Sequence, residues 1–475
     1  MKEPVFVSPA EIAASKAAAK RVKDEVYDLG LTYHIESYGC QMNEHDSEKI
    51  AGMMEEMGYA KAEDKSKADF IIFNTCCIRE HAEQRVYGNI GALKKRKDEN
   101  PQLMIGVCGC MMQQKDAGRK LFKRFPFVDI VFGTNELHRF PLLFEEAYHG
   151  ERTLQVRDMD GEIAEGLPVC RNSTFSTFTN ITYGCNNFCS YCIIPYARGR
   201  IRSKDIDEAY EEAVSIVKNG YKEIVLTGIH LDSYGKEHGR FDLCDLLERM
   251  DTIKGLERVR LGSLEPIFIN DKNVERLKNL RTLCPHFHLS LQSGSDDILR
   301  AMNRHYTTAE FSDAVDRLRA AFDVVSVTTD IITGFPTETE ENHKQSLEFA
   351  KKIGFAKIHV FPFSPRKGTR AYDMKEQVPS DIKKRRTAEM LEVAKESDDA
   401  FYSAKVGKVV SVLFEHRKGD LFTGLTPDYA EVGVKTDCDL TNKILTAKII
   451  SSRGESCLGE LLENGGKDFG EEKGI

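Results

Sequence analysis

The chain reads as an α/β protein in three folded parts: an N-terminal parallel α/β domain, a partial (β/α)6 barrel and a small antiparallel β-barrel. Three observations predict this. Short apolar runs alternate with amphipathic stretches from Thr32 to about Gly150, as in a parallel sheet flanked by helices. The alternation resumes at Phe178 and counts six strand–helix units to about Ile382, short of the eight that close a full barrel. From about Lys405 the pattern changes to short strands separated by turns, of OB-like size. The expected boundaries are an N-terminal extension (1–30), the α/β domain (31–150), a linker (151–175), the barrel (176–400), the C-terminal barrel (401–464) and a loose tail (465–475).

Composition narrows the class. With 475 residues, 41% hydrophobic and 30% charged, the chain suits a soluble multidomain protein. A net charge of -8 excludes binding to nucleic acid by global charge, so any such binding must be local. Thirteen cysteines are too few for a disulfide scaffold, and many are clustered or follow strands, which suits reduced thiols holding metal. No apolar run is long enough to span a membrane, and the first thirty residues, rich in Ala, Lys and Glu, lack an export core and read as a surface helix or loose arm. A cytoplasmic enzyme is expected.

In the first domain, Tyr33–Ser37 ends at Gly39-Cys40. A helix follows, with Asn43, Asp46 or Ser47 as its cap and Ile50, Met53, Met54 and Met57 on its apolar face. Asp69–Phe73, a continuous apolar run as in a buried strand, ends at Asn74-Thr75-Cys76-Cys77. Leu103–Val107 ends at Cys108-Gly109-Cys110, and Val128–Phe132 is the fourth strand. Ligands collect at the carboxyl ends of parallel strands. Cys40, Cys76 and Cys110 each follow a strand, so they are candidate ligands of one cluster. A lone buried cysteine is usually inert, but three in one structural position are not lone. Cys77 and Cys108 are expected to turn away, because one residue's shift reverses the side chain. Residues 150–175, with Asp158, Asp160, Gly161 and Gly166, read as the linker.

The barrel strands are expected at Thr179–Thr182, Glu223–Thr227, Arg258–Leu261, His286–Leu291, Val324–Ile332 and Lys357–Phe361. After the first comes Tyr183-Gly184-Cys185-Asn186-Asn187-Phe188-Cys189-Ser190-Tyr191-Cys192, three thiols at spacing C-x3-C-x2-C. Thiolates are the usual protein ligands of iron–sulfur clusters. Three of them leave one iron of a four-iron cubane open to a small molecule. A structural zinc site would need a fourth Cys or His, and Ile193–Arg200 offers none. The spacing is the signature of radical S-adenosylmethionine (SAM) enzymes. Thr227, Gly228, Gln292, Ser293 and Gly334 lie at other strand ends on the same rim, as candidate contacts for an adenosyl ligand. Arg198, Arg200, Arg202 and Lys204 form a basic run expected to meet phosphates, with a solvated charge run as the competing reading.

In the final part, Lys408–Phe414, Leu421–Leu425, Ala430–Val434 and Thr446–Ile450 read as strands of a barrel of a kind that often holds nucleic acid.

Over nearly its whole length the chain resembles the radical-SAM tRNA methylthiotransferases. Tyr38–Asn43, Asn74–Cys76, Gly109-Cys110, Tyr183–Cys185 with Cys189 and Cys192, and Gln292–Ser295 carry the resemblance. It implies two 4Fe–4S clusters, one on Cys185, Cys189 and Cys192 that cleaves SAM, and one on Cys40, Cys76 and Cys110 linked to sulfur supply. It also implies a C-terminal TRAM domain that grips tRNA, and a sulfur-transferring enzyme that places a 2-methylthio group on an N6-modified adenosine at position 37, beside the anticodon. The implied partners are the tRNA anticodon loop and an electron donor such as flavodoxin or ferredoxin, with the enzyme a monomer. The chemistry is consistent: an adenine C2–H is not acidic, so a cofactor-borne radical must remove its hydrogen.

Two branches of that family compete. Gln41–Glu44 and Ile78–Glu80 resemble enzymes acting on N6-isopentenyladenosine. Leu226–His230, Leu264–Pro266, His359–Pro362 and Thr426–Tyr429 resemble enzymes acting on N6-threonylcarbamoyladenosine. A threonylcarbamoyl carboxylate would want a basic partner, for which Arg366, Lys367 and Arg370 are placed after the last barrel strand. An isopentenyl group would want an apolar wall. The more continuous N-terminal likeness favours isopentenyladenosine. A third branch, acting on a ribosomal-protein aspartate, fits less well. A non-catalytic RNA-binding iron–sulfur protein and a two-cluster electron carrier are the readings from other classes.

Overall fold

Phe70-Ile71-Ile72-Phe73 is buried on both faces and becomes the middle of a parallel sheet. In this computed structural model, which describes residues 6–77, 80–157, 162–171 and 173–462, the first sheet has six strands. They are β1 (Thr32–Ser37), β2 (Ala60–Lys61), β3 (Phe70–Thr75), β4 (Met104–Gly109), β5 (Ile130–Phe132) and β6 (Thr153–Gln155), in spatial order β2-β1-β3-β4-β5-β6. Every pairing is parallel. Helices Pro9–Glu25, Gln41–Glu56 and Phe140–Tyr148 bury one face, with Ile50, Met53, Met54 and Met57 inside. Helices Glu80–Ala92 and Ala117–Arg124 bury the other.

Two expectations change here, and the choice between a helix and a loose arm for the N-terminal extension closes on the helix. The stretch read as a linker supplies β6, which pairs with β5, and continues against the same domain: Ile163 bridges Phe6, and the Cys170 amide donates to Glu48 O at 2.9 Å. The helix after β1 starts at Gln41 with Cys40 as its N-cap, not at Asn43, Asp46 or Ser47. Those three side chains are buried in its first turns instead. The N-terminal extension is a helix packed through Ala18, Ala19 and Val22. Ile78-Arg79, Asp158–Gly161 and the tail after Leu462 lie outside the described residues.

The second domain holds β7 (Ser176–Tyr183), β8 (Arg202–Ser203), β9 (Glu223–Gly228), β10 (Arg258–Leu261), β11 (Ser263–Leu264), β12 (His286–Leu289), β13 (Ser326–Thr333) and β14 (Lys357–Pro362). The six expected strands run parallel in the order β7-β9-β10, then β12-β13-β14; the halves meet where β11, which follows β10 after Gly262, pairs with β12 and where Val259 bridges Leu283. Ile224, Leu226, Val259, Leu261, Phe287 and Leu289 face the helical layer. By the period of two, Glu223, Arg260, His286 and His288 point into the barrel.

The C-terminal barrel closes with five strands: β15 (Val409–Lys418), β16 (Leu421–Leu425), β17 (Glu431–Lys435), β18 (Ile444–Ser452) and β19 (Cys457–Leu461). Four were expected. The fifth closes the barrel by pairing parallel with β17 and antiparallel with β18. Its Thr426–Tyr429 turn docks under the amino ends of the larger barrel's strands. There Arg258 donates to Leu425 O at 2.8 Å, Arg260 to Pro427 O at 3.0 Å and Ser326 to Asp428 O at 2.6 Å. Among the described residues, no helix is long and apolar enough to cross a membrane.

Candidate functional site

The loop after β7 is folded for close approach. Gly184 has φ +69°, and a Cβ there would collide with the backbone of Gly199 and Arg200. The Cys185 amide donates to Gly199 O at 3.1 Å and the Cys192 amide to Cys189 O at 2.9 Å, which curls the three thiols inward. Asn303 clamps the loop from outside, its Nδ2 donating to Asn187 O at 3.0 Å and Phe188 O at 3.2 Å. Ser190 ties it down further, with Oγ donating to Ala301 O at 2.7 Å. Arg304 donates to Cys189 Sγ at 3.2 Å and pairs with Glu265 at 2.8 Å. Glu265 also accepts from Asn187 Nδ2 at 2.7 Å. Burial pushes the Cys185 thiol up to about 11 and Cys192 to about 12, and the neighbouring Cys189 adds to both. Metal binding displaces the protons of such thiols, which is the donor chemistry a cluster requires.

The second triad is built at the carboxyl edge of the first sheet. A Cβ on Gly39 would lie 2.8 Å from Cys76 Cβ, so glycine lets the Cys40 loop approach Cys76. Asn43 straps the strand ends together, donating to Tyr38 O at 2.8 Å and Thr75 O at 3.0 Å. Cys110 receives an N–H from Arg198 Nε at 3.1 Å and lies 3.6 Å from Asn43 Oδ1. The Cys77 hydrogen bond and the Arg198 charge bring the Cys110 thiol down to about 6 against the cost of its burial.

Cys108 packs into the apolar core of the sheet. Cys77, however, does not turn away: it hydrogen-bonds to Cys110, is fully buried, and faces Cys76 and Cys192. The rule of alternation stops applying because β3 ends at Thr75, and Cys76-Cys77 lies in irregular chain and a bend. Cys77 and Cys110 pack with Ile193 and Ala197, so the two triads share one wall. That wall is the helix Ile194–Arg198, which begins two residues after Cys192 and ends at the arginine bound to Cys110.

The basic run is not a phosphate strip. Arg198 is buried and pairs with Asp46 at 2.8 Å. Arg202 is buried, donating to Arg198 O at 3.0 Å and Arg200 O at 2.9 Å. Lys204 pairs with Glu212. Arg200 alone of the four is exposed, over the Phe188 ring at 4.4 Å. Arg366, one candidate partner for a carboxylate, is buried against Glu83 of the first domain at 3.2 Å.

The rim residues differ among themselves. Thr227 bonds to Asn180 on the neighbouring strand, and Gly228 packs against Thr182. Gln292 has φ +69° and its amide donates to Asp330 O at 2.8 Å. Ser293 Oγ lies 3.2 Å from Ser346 Oγ, and Gly334 is covered by Lys383. Ser293 is buried, and the Gly334 amide donates to Glu338 Oε2 at 2.8 Å. Sequence reasoning missed Arg304, Asn303 and the thiol of Cys77 as parts of the site. Arg304 and Asn303 sit in a short polar run after a helix and carry no spacing signal.

Comparison with known proteins agrees with this geometry. Residues 32–133 match the model of the Uncharacterized protein family UPF0004, and residues 179–350 that of the Radical SAM superfamily. The chain is 44% identical to the tRNA-2-methylthio-N(6)-dimethylallyladenosine synthase of Clostridium tetani, over 90% of this chain and 96% of that one. It is 43% identical to the Caldicellulosiruptor saccharolyticus protein of the same name, over 91% and 92%. The Acetivibrio thermocellus protein of that name is 38% identical over 96% and 98%. In fold, the chain is similar to the radical S-adenosylmethionine methyltransferase TsrM from Kitasatospora setae, with a TM-score of 0.52 at 12% identity over 72% of this chain and 75% of that one. Two thiol triads on one wall, and relatives of this identity spanning both halves, place the chain in its family: it belongs to the radical-SAM methylthiotransferases, alongside the tRNA-2-methylthio-N(6)-dimethylallyladenosine synthases.

Proposed function

We propose that this chain converts N6-isopentenyladenosine at position 37 of a tRNA to its 2-methylthio derivative. The observation that carries the reading is the helix Ile194–Arg198, which starts two residues after Cys192 and ends at the arginine whose Nε donates to Cys110 Sγ at 3.1 Å, linking the two thiol sets. The ligand sets are Cys185, Cys189 and Cys192 for one 4Fe–4S cluster, and Cys40, Cys76 and Cys110 for the other. When bound, the clusters and SAM supply the one-electron chemistry, the sulfur and the methyl group.

The chain's own residues do the rest. Asn303 and Ser190 fix the first thiol loop, and Gly184 lets it close on the 199–200 backbone. Asn43 and Gly39 fix the second. Thr227, Gly228, Gln292, Ser293 and Gly334 lie at the strand ends that would form the rim for the adenosyl group. The anticodon loop is single-stranded, so its base can be splayed into the opening. Electrons come from a small carrier such as flavodoxin or ferredoxin, and the enzyme acts as a monomer in the cytoplasm.

The pairing of Arg366 with Glu83 supports an isopentenyl over a threonylcarbamoyl substituent, because it occupies one of the three cations placed to meet a carboxylate. Thr426–Tyr429 resembles the threonylcarbamoyl branch but packs at the amino ends of the barrel strands, against Arg260 and Ser326. The test is mass spectrometry of tRNA nucleosides from a methylthiotransferase-deficient host expressing this chain. The expected product is 2-methylthio-N6-isopentenyladenosine. Only the threonylcarbamoyl product would overturn the choice of substrate, and neither product would overturn the activity.

A further inference from the structure

Each triad receives a side-chain N–H bond from a buried arginine, and the barrel triad also takes the Asn187 backbone N–H on Cys185 Sγ at 3.4 Å. Arg198 Nε donates to Cys110 Sγ at 3.1 Å, and Arg304 donates to Cys189 Sγ at 3.2 Å. Both guanidinium groups are nearly inaccessible, at 6% side-chain exposure each. Each is held by one buried carboxylate, Asp46 at 2.8 Å and Glu265 at 2.8 Å. Arg198 is further fixed by Asn43 Oδ1 at 2.9 Å, and Arg304 by Tyr306 OH at 3.0 Å. The two arrangements come from unrelated parts of the chain and arrive at the same contact.

We propose that Arg198 and Arg304 are positioning residues that set the electron affinity of the two clusters, each through one hydrogen bond to one ligand sulfur. The inference rests on the reading of both triads as cluster ligands. Hydrogen bonds to cluster sulfurs, with net charge and burial, are what tune such potentials. Reduction adds negative charge that spreads onto the sulfurs, so an N–H aimed at a sulfur favours the reduced state and raises the potential. Each arginine is neutralised by its own carboxylate. What reaches the sulfur is therefore an oriented N–H, held in place by the ion pair behind it. Arg198 also crosses between domains: it belongs to the barrel sequence, yet its bond falls on the first domain's triad.

The test separates the clusters. In the full chain with Cys185, Cys189 and Cys192 all changed to Ala, only the N-terminal cluster is reconstituted. Its midpoint potential is read by EPR-monitored titration with and without Arg198→Lys. Lysine keeps the charge beside Asp46 and loses the Nε–H at Cys110. Arg198→Met is the second variant, and it also leaves Asp46 unpaired. The expected result is a more negative potential in both, by about tenfold in electron affinity, ~59 mV for one electron. The mirror experiment puts Arg304→Lys into the chain with Cys40, Cys76 and Cys110 changed to Ala. A reconstituted cluster with an unchanged potential overturns the inference. Failure of either triple-alanine background to hold a cluster, judged by iron content and EPR, overturns the ligand reading beneath it instead. Lysine variants that fold and load iron normally while shifting the potential separate tuning from a structural role.

Discussion

The Tyr429 ring stacks on the His286 imidazole, with centroids 4.5 Å apart and planes 14° from parallel. The Arg260 guanidinium lies over the same ring at 4.8 Å. His286 is the first residue of β12, so the C-terminal barrel plugs the floor of the larger one, opposite the thiol loop.

Tyr429→Ala removes that stack and the cation–π contact, each worth about 0.5–2 kcal/mol. Hydrogen exchange in Val409–Leu461 is expected to accelerate, while exchange around Cys185–Cys192 stays as in the parent. Uniform acceleration across both barrels would contradict the docking role.

Glu415 lies near this floor, and burial, reinforced by Glu223, pushes its carboxyl up to about 7. A raised carboxyl binds its proton more tightly folded than unfolded. Stability is therefore full below about 4.5, declines as pH rises toward 7, and is flat above. Glu415→Gln is expected to raise the melting temperature at pH 8, by at most about 3 kcal/mol in stability, and to leave it nearly unchanged at pH 4.5. Equal effects at the two pH values would refute the titration.

The triads are expected to separate by iron content. Changing Cys40, Cys76 and Cys110 to Ala should halve the iron, abolish the methylthio product and leave 5′-deoxyadenosine formation intact, as when one of two thiolate-held clusters is lost. Changing Cys185, Cys189 and Cys192 should halve the iron and abolish 5′-deoxyadenosine. Cys77→Ala should keep the full iron content. Loss of half the iron in that single variant would make Cys77 a ligand and displace one of the three.

Lys204 belongs to the fold, so Lys204→Ala leaves Glu212 with Arg171 as its remaining cation, at 3.0 Å. Breaking a buried pair costs about 3 kcal/mol. The variant is expected to melt earlier and to keep the salt dependence of tRNA binding. A flatter salt slope with unchanged melting would return Lys204 to the phosphate-binding role.

Much of this was legible in the residues themselves. Phe70–Phe73 reads as a buried strand from its continuous apolar run, and six strand–helix alternations specify a partial barrel. Cys185, Cys189 and Cys192 are a spacing signal within one loop. What was hidden depends on partners remote in sequence. Arg198 reads as one cation in a basic run until Asp46 and Cys110, from the other domain, are brought against it. The β6 strand is three residues long, and β19, with a glycine at its centre, pairs with β17 across the intervening β18. Neither carries a periodic signal of its own. Cys77 escaped because alternation holds only while a strand lasts.

The helix Ile194–Arg198 has a mechanical consequence. Its length, with Cys192 just before it and the Cys110 contact at its end, makes the spacing between the two centres a property of one short rigid peptide. One residue added between Cys192 and Arg198 would turn the arginine away from Cys110 by a helical step of about 100°.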